Sequence, residues 1–187
     1  MIIGLTGPMA SGKSTVVETL KGMGYKLITL SDMVREEARK QGVPEERENL
    51  MAIGQDLRKK FGAGVLGKRA LEKIKASGEE KWVVDGIRNP AEVMELRQHP
   101  DFVLIANTAP EDMIIARILS RKRADDTLDK TAIRHKLRRE MGEGEPMDGQ
   151  QVAKCIAMAD YTFENVMPFD EVSRAFKKLY DKIAQEQ

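Results

Sequence analysis

A parallel β-sheet covered by helices on both faces is the fold this sequence predicts, and three observations carry the prediction. Short apolar runs rich in Val and Ile alternate with helix-patterned segments from one end to the other, which is the pattern of repeated strand–helix units. None of those runs alternates apolar with polar at period two, so both faces of the sheet are expected to be buried. The first run passes straight into Gly7-Pro8-Met9-Ala10-Ser11-Gly12-Lys13-Ser14-Thr15, two glycines five apart followed by Lys and a hydroxyl residue. That spacing, between a strand and a helix, reads as a phosphate-binding loop. The predicted class is α/β, three layers deep, with a five-stranded parallel sheet.

Taken in order, residues 1–6 are short, apolar and β-branched, a buried strand. Beyond Lys13, Val16, Val17, Leu20 and Met23 recur at helical spacing, and Gly22 and Gly24 separate that helix from a second strand over residues 25–30. Ser31-Asp32 reads as an N-cap pair for a helix over 33–40. Gly42 and Pro44 break it, a further helix covers 45–60, and another covers 63–76 with Leu66, Ala70, Leu71 and Ile74 on one face. Residues 82–85 form the third strand, which turns at Gly86-Ile87-Arg88-Asn89-Pro90. Asn89 is the expected N-cap of the next helix, with Pro90 at its first position and Glu92 at its third.

Residues 102–106 are the fourth strand, and Thr108 with Glu111 reads as a capping box opening a helix through Met113, Ile114, Ile118 and Leu119. Polar residues dominate from Ser120 to Gln150, and the Gly- and Glu-rich stretch 143–149 is expected to be a mobile loop. Tyr161–Glu164 is the last strand, and Val172, Phe176, Leu179 and Ile183 mark the inner face of a closing helix.

At 187 residues with a net charge of +1, the chain is expected to be one domain with a full core. No global field selects a nucleic-acid polymer or a membrane surface as partner. A lone Cys155 excludes a disulfide framework and a Cys₄ metal site and suits a reducing, cytoplasmic setting. The first residues read as strand rather than signal peptide, and no apolar run is long enough to span a bilayer. His99 and His135 lack metal-ligand spacing and read as surface residues. Trp82 and most Met residues read as packing.

The loop dictates the chemistry. Its glycines let successive N–H groups turn inward toward a triphosphate, and the following helix adds its positive dipole end. Lys13, in a solvent-lined loop, would reach the β- and γ-phosphates of ATP, and the Ser14 hydroxyl would bind Mg²⁺. Ligand sites of such sheets lie at the carboxyl ends of the strands. There Ser31, Asp32 and Arg35 follow the second strand, and Asp85 and Arg88 follow the third. A carboxylate ending a buried strand needs a partner, which Mg²⁺ supplies for Asp85. From Arg117 to Arg139 nine Lys or Arg face three Asp, a basic excess suited to the charge that spreads over a transferring phosphoryl group. The plainer meaning of such a run is a solvated helical face.

The loop, Ser31-Asp32-Met33-Val34-Arg35, Asp85-Gly86-Ile87-Arg88 and Arg117-Ile118-Leu119-Ser120-Arg121 together resemble a P-loop NTPase of the nucleoside monophosphate kinase superfamily, adenylate kinase type. Val84-Asp85-Gly86-Ile87-Arg88, Arg123-Ala124-Asp125-Asp126 and Ala159-Asp160-Tyr161 are most similar to a little-characterised group of nucleotide kinases related to CMP and AMP kinases and to dephospho-CoA kinase. The resemblance covers nearly the whole chain. It implies a helical acceptor-binding insert over 32–76 and a mobile lid over about 121–149 within one domain, 1–187. It further implies that Arg35 and Arg88 hold the acceptor's phosphate, Asp85 orients Mg²⁺ through its water shell and Arg117 lies against the ATP base. Arg121 would contact the phosphates, and Arg134 and Arg138 would close over the transferring group, with Arg123 and Arg139 as alternatives in the lid. The turn after Asp85 is one residue shorter than in adenylate kinases and lacks their Pro.

The expected activity is ATP-dependent phosphoryl transfer to a small nucleotide acceptor, by a monomer or homodimer. A nucleotide-dependent switch is the other class, but the Asn-Lys-x-Asp and Asp-x-x-Gly segments of guanine-specific switches are absent. Two acceptors remain open. A nucleoside monophosphate needs cations and no base, which the arginine pair suits. A sugar hydroxyl needs a carboxylate such as Asp32 to take its proton.

Overall fold

Every residue of the first strand, β1 (Ile2–Thr6), is buried, because it runs down the middle of the sheet. The computed structural model describes residues 1–121 and 129–186. The remaining strands are β2 (Lys26–Thr29), β3 (Trp82–Ile87), β4 (Phe102–Thr108) and β5 (Tyr161–Glu164). All pairings are parallel, in the order β2-β3-β1-β4-β5. The outer strands β2 and β5 are half solvated, and β5 alternates exposed and buried positions. The expectation of strands buried on both faces therefore holds for the three inner strands and is corrected at the edges, where one neighbour is missing.

Between the strands run α1 (Lys13–Gly22), α2 (Leu30–Gln41), α3 (Arg47–Phe61), α4 (Val65–Ser77), α5 (Pro90–Leu96), α6 (Glu111–Arg121), α7 (Lys130–Met141), α8 (Val152–Ala157) and α9 (Phe169–Glu186). Successive side chains of β1 point to opposite faces. Ile2 joins Val84 and Leu104 in a core with α2, α3, α4, α5 and Cys155 of α8. Ile3 and Leu5 join Val83, Val103 and Ile105 in a second core with α1 and α9. Gly4 lies where no side chain fits, since a Cβ there would meet the Phe102 ring at 2.6 Å. A smaller third cluster unites Ile114, Ile115 and Ile118 of α6 with Ile133 and Leu137 of α7, against Met9 and Ala10.

Local caps decide where helices begin. Asn89 and Glu92 form the predicted box: Ala91 N–H donates to Asn89 Oδ1 at 2.9 Å and Asn89 N–H to Glu92 Oε2 at 3.1 Å. The predicted Ser31-Asp32 cap is corrected. Thr29, already extended as the last residue of β2, caps α2 through its hydroxyl at 3.2 Å from Asp32 N, and Asp32 answers by accepting the Thr29 N–H at 3.0 Å. The predicted Thr108 cap is also corrected: Thr108 pairs with Glu164 in the sheet, and the first helical bond runs from Ile114 N–H to the Pro110 carbonyl. In this structure the stretch 143–149, expected to be a mobile loop, accepts hydrogen bonds from two buried amides. Asn89 Nδ2 donates to the carbonyls of Met147 and Gly149 at 2.9 and 2.8 Å, and Gln151 Nε2 to that of Pro146 at 3.0 Å.

The Arg123-Ala124-Asp125-Asp126 segment lies outside the described residues, as do parts of the 121–149 span. Among the described residues no helix is long and apolar enough to cross a membrane.

Candidate phosphate-binding site

The loop between β1 and α1 is held open from behind. Gly7 and Gly12 have φ of 133° and 97°, and Ala10 joins them with φ 55°, left-handed values that glycine adopts freely and alanine only at a cost. A Cβ on Gly7 would lie 2.0 Å from the Asn107 carbonyl oxygen, and one on Gly12 1.9 Å from Asn165 Nδ2. These glycines therefore serve close approach as well as turning. Ser11 is fully buried, and its carbonyl accepts Asn107 Nδ2 at 2.6 Å and Asn165 Nδ2 at 3.1 Å. Arg117 Nη1 lies 3.4 Å from the Ala10 carbonyl, while Nη2 donates to the carbonyl and side-chain oxygens of Asn165 at 3.0 and 3.2 Å. The carbonyls of Ala10 and Ser11 are thus engaged from behind, while on the loop's own N–H side Met9 donates to Glu140 at 2.8 Å and Ser11 to the Pro8 carbonyl at 3.3 Å; N–H groups turned to one side of such a loop are the basis of an anion nest.

Asn107 is the last residue but one of β4, and Asn165 follows β5. Sequence reasoning did not assign them a part in the site. The signal was present in principle, a polar amide at the carboxyl end of each of two predicted strands, but only the fold shows that both reach one carbonyl.

Lys13 folds back over the loop, and its ammonium donates to the carbonyls of Gly7 and Pro8 at 2.6 and 2.8 Å. Burial depresses its pKa below the ordinary lysine range, against the opposing charges of Asp85 and Glu140 and with a smaller push from Arg88. The side chain is thus partly buried rather than solvent-lined as expected. Ser14 is exposed at the start of α1, with Thr15 partly buried behind it.

β3 brings the second set of groups. Gly4 pairs with Val84, yet Thr6 pairs with Ile87, so β3 carries one extra residue opposite Leu5. Gly86 absorbs this bulge at φ 84°, and its N–H donates to Asp85 Oδ1 at 2.8 Å. Bulges of this kind re-aim side chains. The strand extends to Ile87, two residues past its predicted end, and Asp85 and Arg88 emerge at the mouth of the loop. The Arg88 guanidinium lies 3.4 Å from Glu140 Oε1 and donates to Gln150 Oε1 at 3.3 Å. The backbone N–H of Arg88 donates to Glu92 Oε2 at 2.9 Å. Glu92 is wholly buried, which pushes its carboxyl pKa up despite the Arg58 guanidinium 3.4 Å away.

β2 pairs Thr29 with Asp85, so the first turns of α2 border the same mouth. Arg35 Nη1 donates to Asp32 Oδ1 at 3.0 Å, and Arg35 Nε lies 3.7 Å from Glu45. Burial pushes the Asp32 carboxyl up, but the hydroxyl and amide of Thr29 and the Arg35 guanidinium outweigh it and hold the pKa below the usual carboxylate range. Arg121 ends α6, partly exposed. Arg134 and Arg138 are turned to other neighbours: Arg134 pairs with Glu111 at 3.0 Å and lies 3.6 Å from Asp112, and Arg138 lies 3.9 Å from Glu143. In this conformation Lys13, Asp85 and Arg88 are gathered at the loop and those two arginines are not. Glu140, with no role assigned from sequence, is gathered with them. The Cys155 thiol is buried, which pushes its pKa up to about 12 and suits packing rather than nucleophilic chemistry.

The family model described as the AAA domain matches residues 6–134. A UPF0200 protein of Methanosarcina mazei is 36% identical over 155 residues, which cover 81% of this chain and 83% of that protein. The chain belongs to the UPF0200 family. The UPF0200/UPF0201 protein of Archaeoglobus fulgidus is 33% identical over 98% of this chain, which spans 56% of that longer protein. Among solved structures, dephospho-CoA kinase from Campylobacter jejuni superposes with a TM-score of 0.62 at 16% identity, covering 99% of this chain and 98% of its own. Shikimate kinase from Bacteroides thetaiotaomicron gives 0.59 at 12% identity, covering 97% and 98%. At such identities the likeness is one of fold: this UPF0200 protein has the architecture of a P-loop kinase, in agreement with the resemblance read from its motifs.

Proposed function

We propose that this UPF0200 protein is an ATP- and Mg²⁺-dependent phosphotransferase whose acceptor is a small nucleotide, a nucleoside monophosphate before any other. The observation that carries the reading is the convergence of Lys13, Asp85 and Arg88 on one loop whose outward carbonyls are already bonded. Residues Gly7 to Thr15 would take the triphosphate. The planar face of Arg117 remains for the base while its N–H groups brace the loop. Ser14 and Asp85 offer hard oxygen donors of the kind Mg²⁺ prefers, one Asp85 oxygen being engaged by Gly86. When bound there, Mg²⁺ neutralises phosphate charge. Lys13 leaves the Gly7 and Pro8 carbonyls for the phosphates, and Arg88 and Arg35 hold the acceptor's phosphate. The helices of the 32–76 insert wall the acceptor pocket, and Arg121, Arg134 and Arg138 approach as the 121–149 segment closes.

Asp32 supports the choice of acceptor. A general base needs a free oxygen and a pKa near working pH. Asp32 has its oxygens on Thr29 and Arg35 and a depressed pKa, which suits a cap better than a base. The test is ATP turnover against a panel of nucleoside monophosphates and of hydroxyl acceptors such as dephospho-CoA, with Lys13→Ala as control. Loss of turnover in Lys13→Ala, and a larger loss in Arg88→Ala than in Asp32→Asn, are expected. Turnover unchanged in Lys13→Ala sinks the loop assignment. A kcat collapse confined to Asp32→Asn moves the acceptor to a hydroxyl.

A further inference from the structure

α7 places a carboxylate where the loop's ligand belongs. Glu140 is 3% exposed, although its neighbours Arg138 and Arg139 stand in solvent. Its Oε2 accepts the Met9 N–H at 2.8 Å, and its Oε1 lies 3.4 Å from Arg88 Nη1. The negative charge also acts on the Lys13 ammonium. A loop amide and an arginine, with the charge of the loop lysine nearby, are the groups that recognise a phosphate oxygen. The position along the loop follows from Lys13, whose ammonium rests on the carbonyls of Gly7 and Pro8, the residues just before Met9. This is the end of the loop at which the lysine meets the β- and γ-phosphates.

Two anions cannot share one set of donors. We propose that Glu140 is an internal anion that stands in for the terminal phosphate until a nucleoside triphosphate arrives, and that the triphosphate expels it. Expulsion would hand the Met9 N–H to the phosphate, free Arg88 from its carboxylate partner to lie between the triphosphate and the acceptor, and detach the end of α7, whose other buried attachments are Ile133 and Leu137. The cost of displacing Glu140 falls on triphosphates, because a diphosphate leaves the terminal seat to the carboxylate. The inference rests on the reading of the loop as an ATP site.

The experiment is calorimetric binding of ATP and ADP to the full chain and to Glu140→Gln. Gln keeps the side chain's size and an acceptor for the Met9 N–H but removes the charge. ATP affinity should rise roughly tenfold in the variant, a typical coupling between competing sites, with ADP affinity changed by less than about twofold. Unchanged or weakened ATP binding in Glu140→Gln overturns the proposal while leaving the loop reading intact. Absence of nucleotide binding to both proteins overturns the loop reading and the inference with it. A second measurement needs no variant: the rate of tryptic cleavage at Lys136, Arg138 and Arg139 should change with ATP and not with ADP, because only ATP takes the end of α7 from its present seat. Equal rates in the free, ADP and ATP states count against expulsion.

Discussion

Asn107 and Asn165, from the ends of two adjacent strands, donate to one oxygen, the Ser11 carbonyl, at 2.6 and 3.1 Å. The second of them fills the space that a Cβ on Gly12 would need, and it also receives Arg117. The loop's shape is therefore imposed from β4 and β5 as much as by its own glycines.

Replacing the shorter of these donors isolates the effect. In Asn107→Asp the Ser11 carbonyl faces an acceptor instead of an N–H, in a site where both residues are fully buried. The expected loss is about 1–3 kcal/mol of stability, with ATP affinity reduced by about tenfold or more as the loop relaxes. Urea unfolding and calorimetric titration measure the two effects. Unaltered ATP affinity would show that the loop holds its shape without Asn107.

Lys13 should leave a signature at alkaline pH. Its native pKa lies below its ordinary 10.5, so between those two values the unfolded chain holds a proton that the native protein has released. Stability from this group therefore rises with pH across that window and is penalised below it. Lys13→Met removes the penalty. The wild type should be the less stable of the two near neutrality, and the difference should narrow as pH climbs toward 10.5. Denaturant midpoints at several pH values test this, and a gap that stays constant up to pH 10.5 contradicts it.

Glu92 behaves in the opposite sense. Its carboxyl pKa is raised by burial, so above pH 4.5 the native protein retains a proton that the unfolded chain has lost, and stability falls as pH climbs through that interval. The wild type should gain on Glu92→Gln as the pH is lowered toward 4.5. Glu92→Leu is a different case, because it leaves the N–H groups of Arg88 and Asn89 and the Arg58 guanidinium without their acceptor. It should cost about 3–5 kcal/mol, and thermal unfolding of both variants measures the contrast. A Leu variant as stable as the Gln variant would mean that the carboxylate is not what anchors the Arg88 turn.

What the sequence determined by itself is whatever depends on neighbours along the chain. The phosphate loop is legible because its glycines, lysine and hydroxyl act within one turn of backbone. The Asn89–Glu92 box is legible because a cap and its third residue are in contact whatever the rest of the fold does. The inner strands are legible because a strand buried on both faces is apolar throughout. The shift of the α2 cap from Ser31 to Thr29 needed knowledge of where β2 stops, which its pairing with β3 decides. The bulge at Gly86 was hidden for the same reason: an extra residue exists only relative to a partner strand. Tertiary structure alone decided that Asn107 and Asn165 meet at Ser11, 96 and 154 residues away. It alone turned Arg134 and Arg138 toward other acids, and it alone set one glutamate of a basic helix, Glu140, against the Met9 amide 131 residues distant. Sequence spacing carries no information about such contacts, because they are made where the sheet order brings strand ends together.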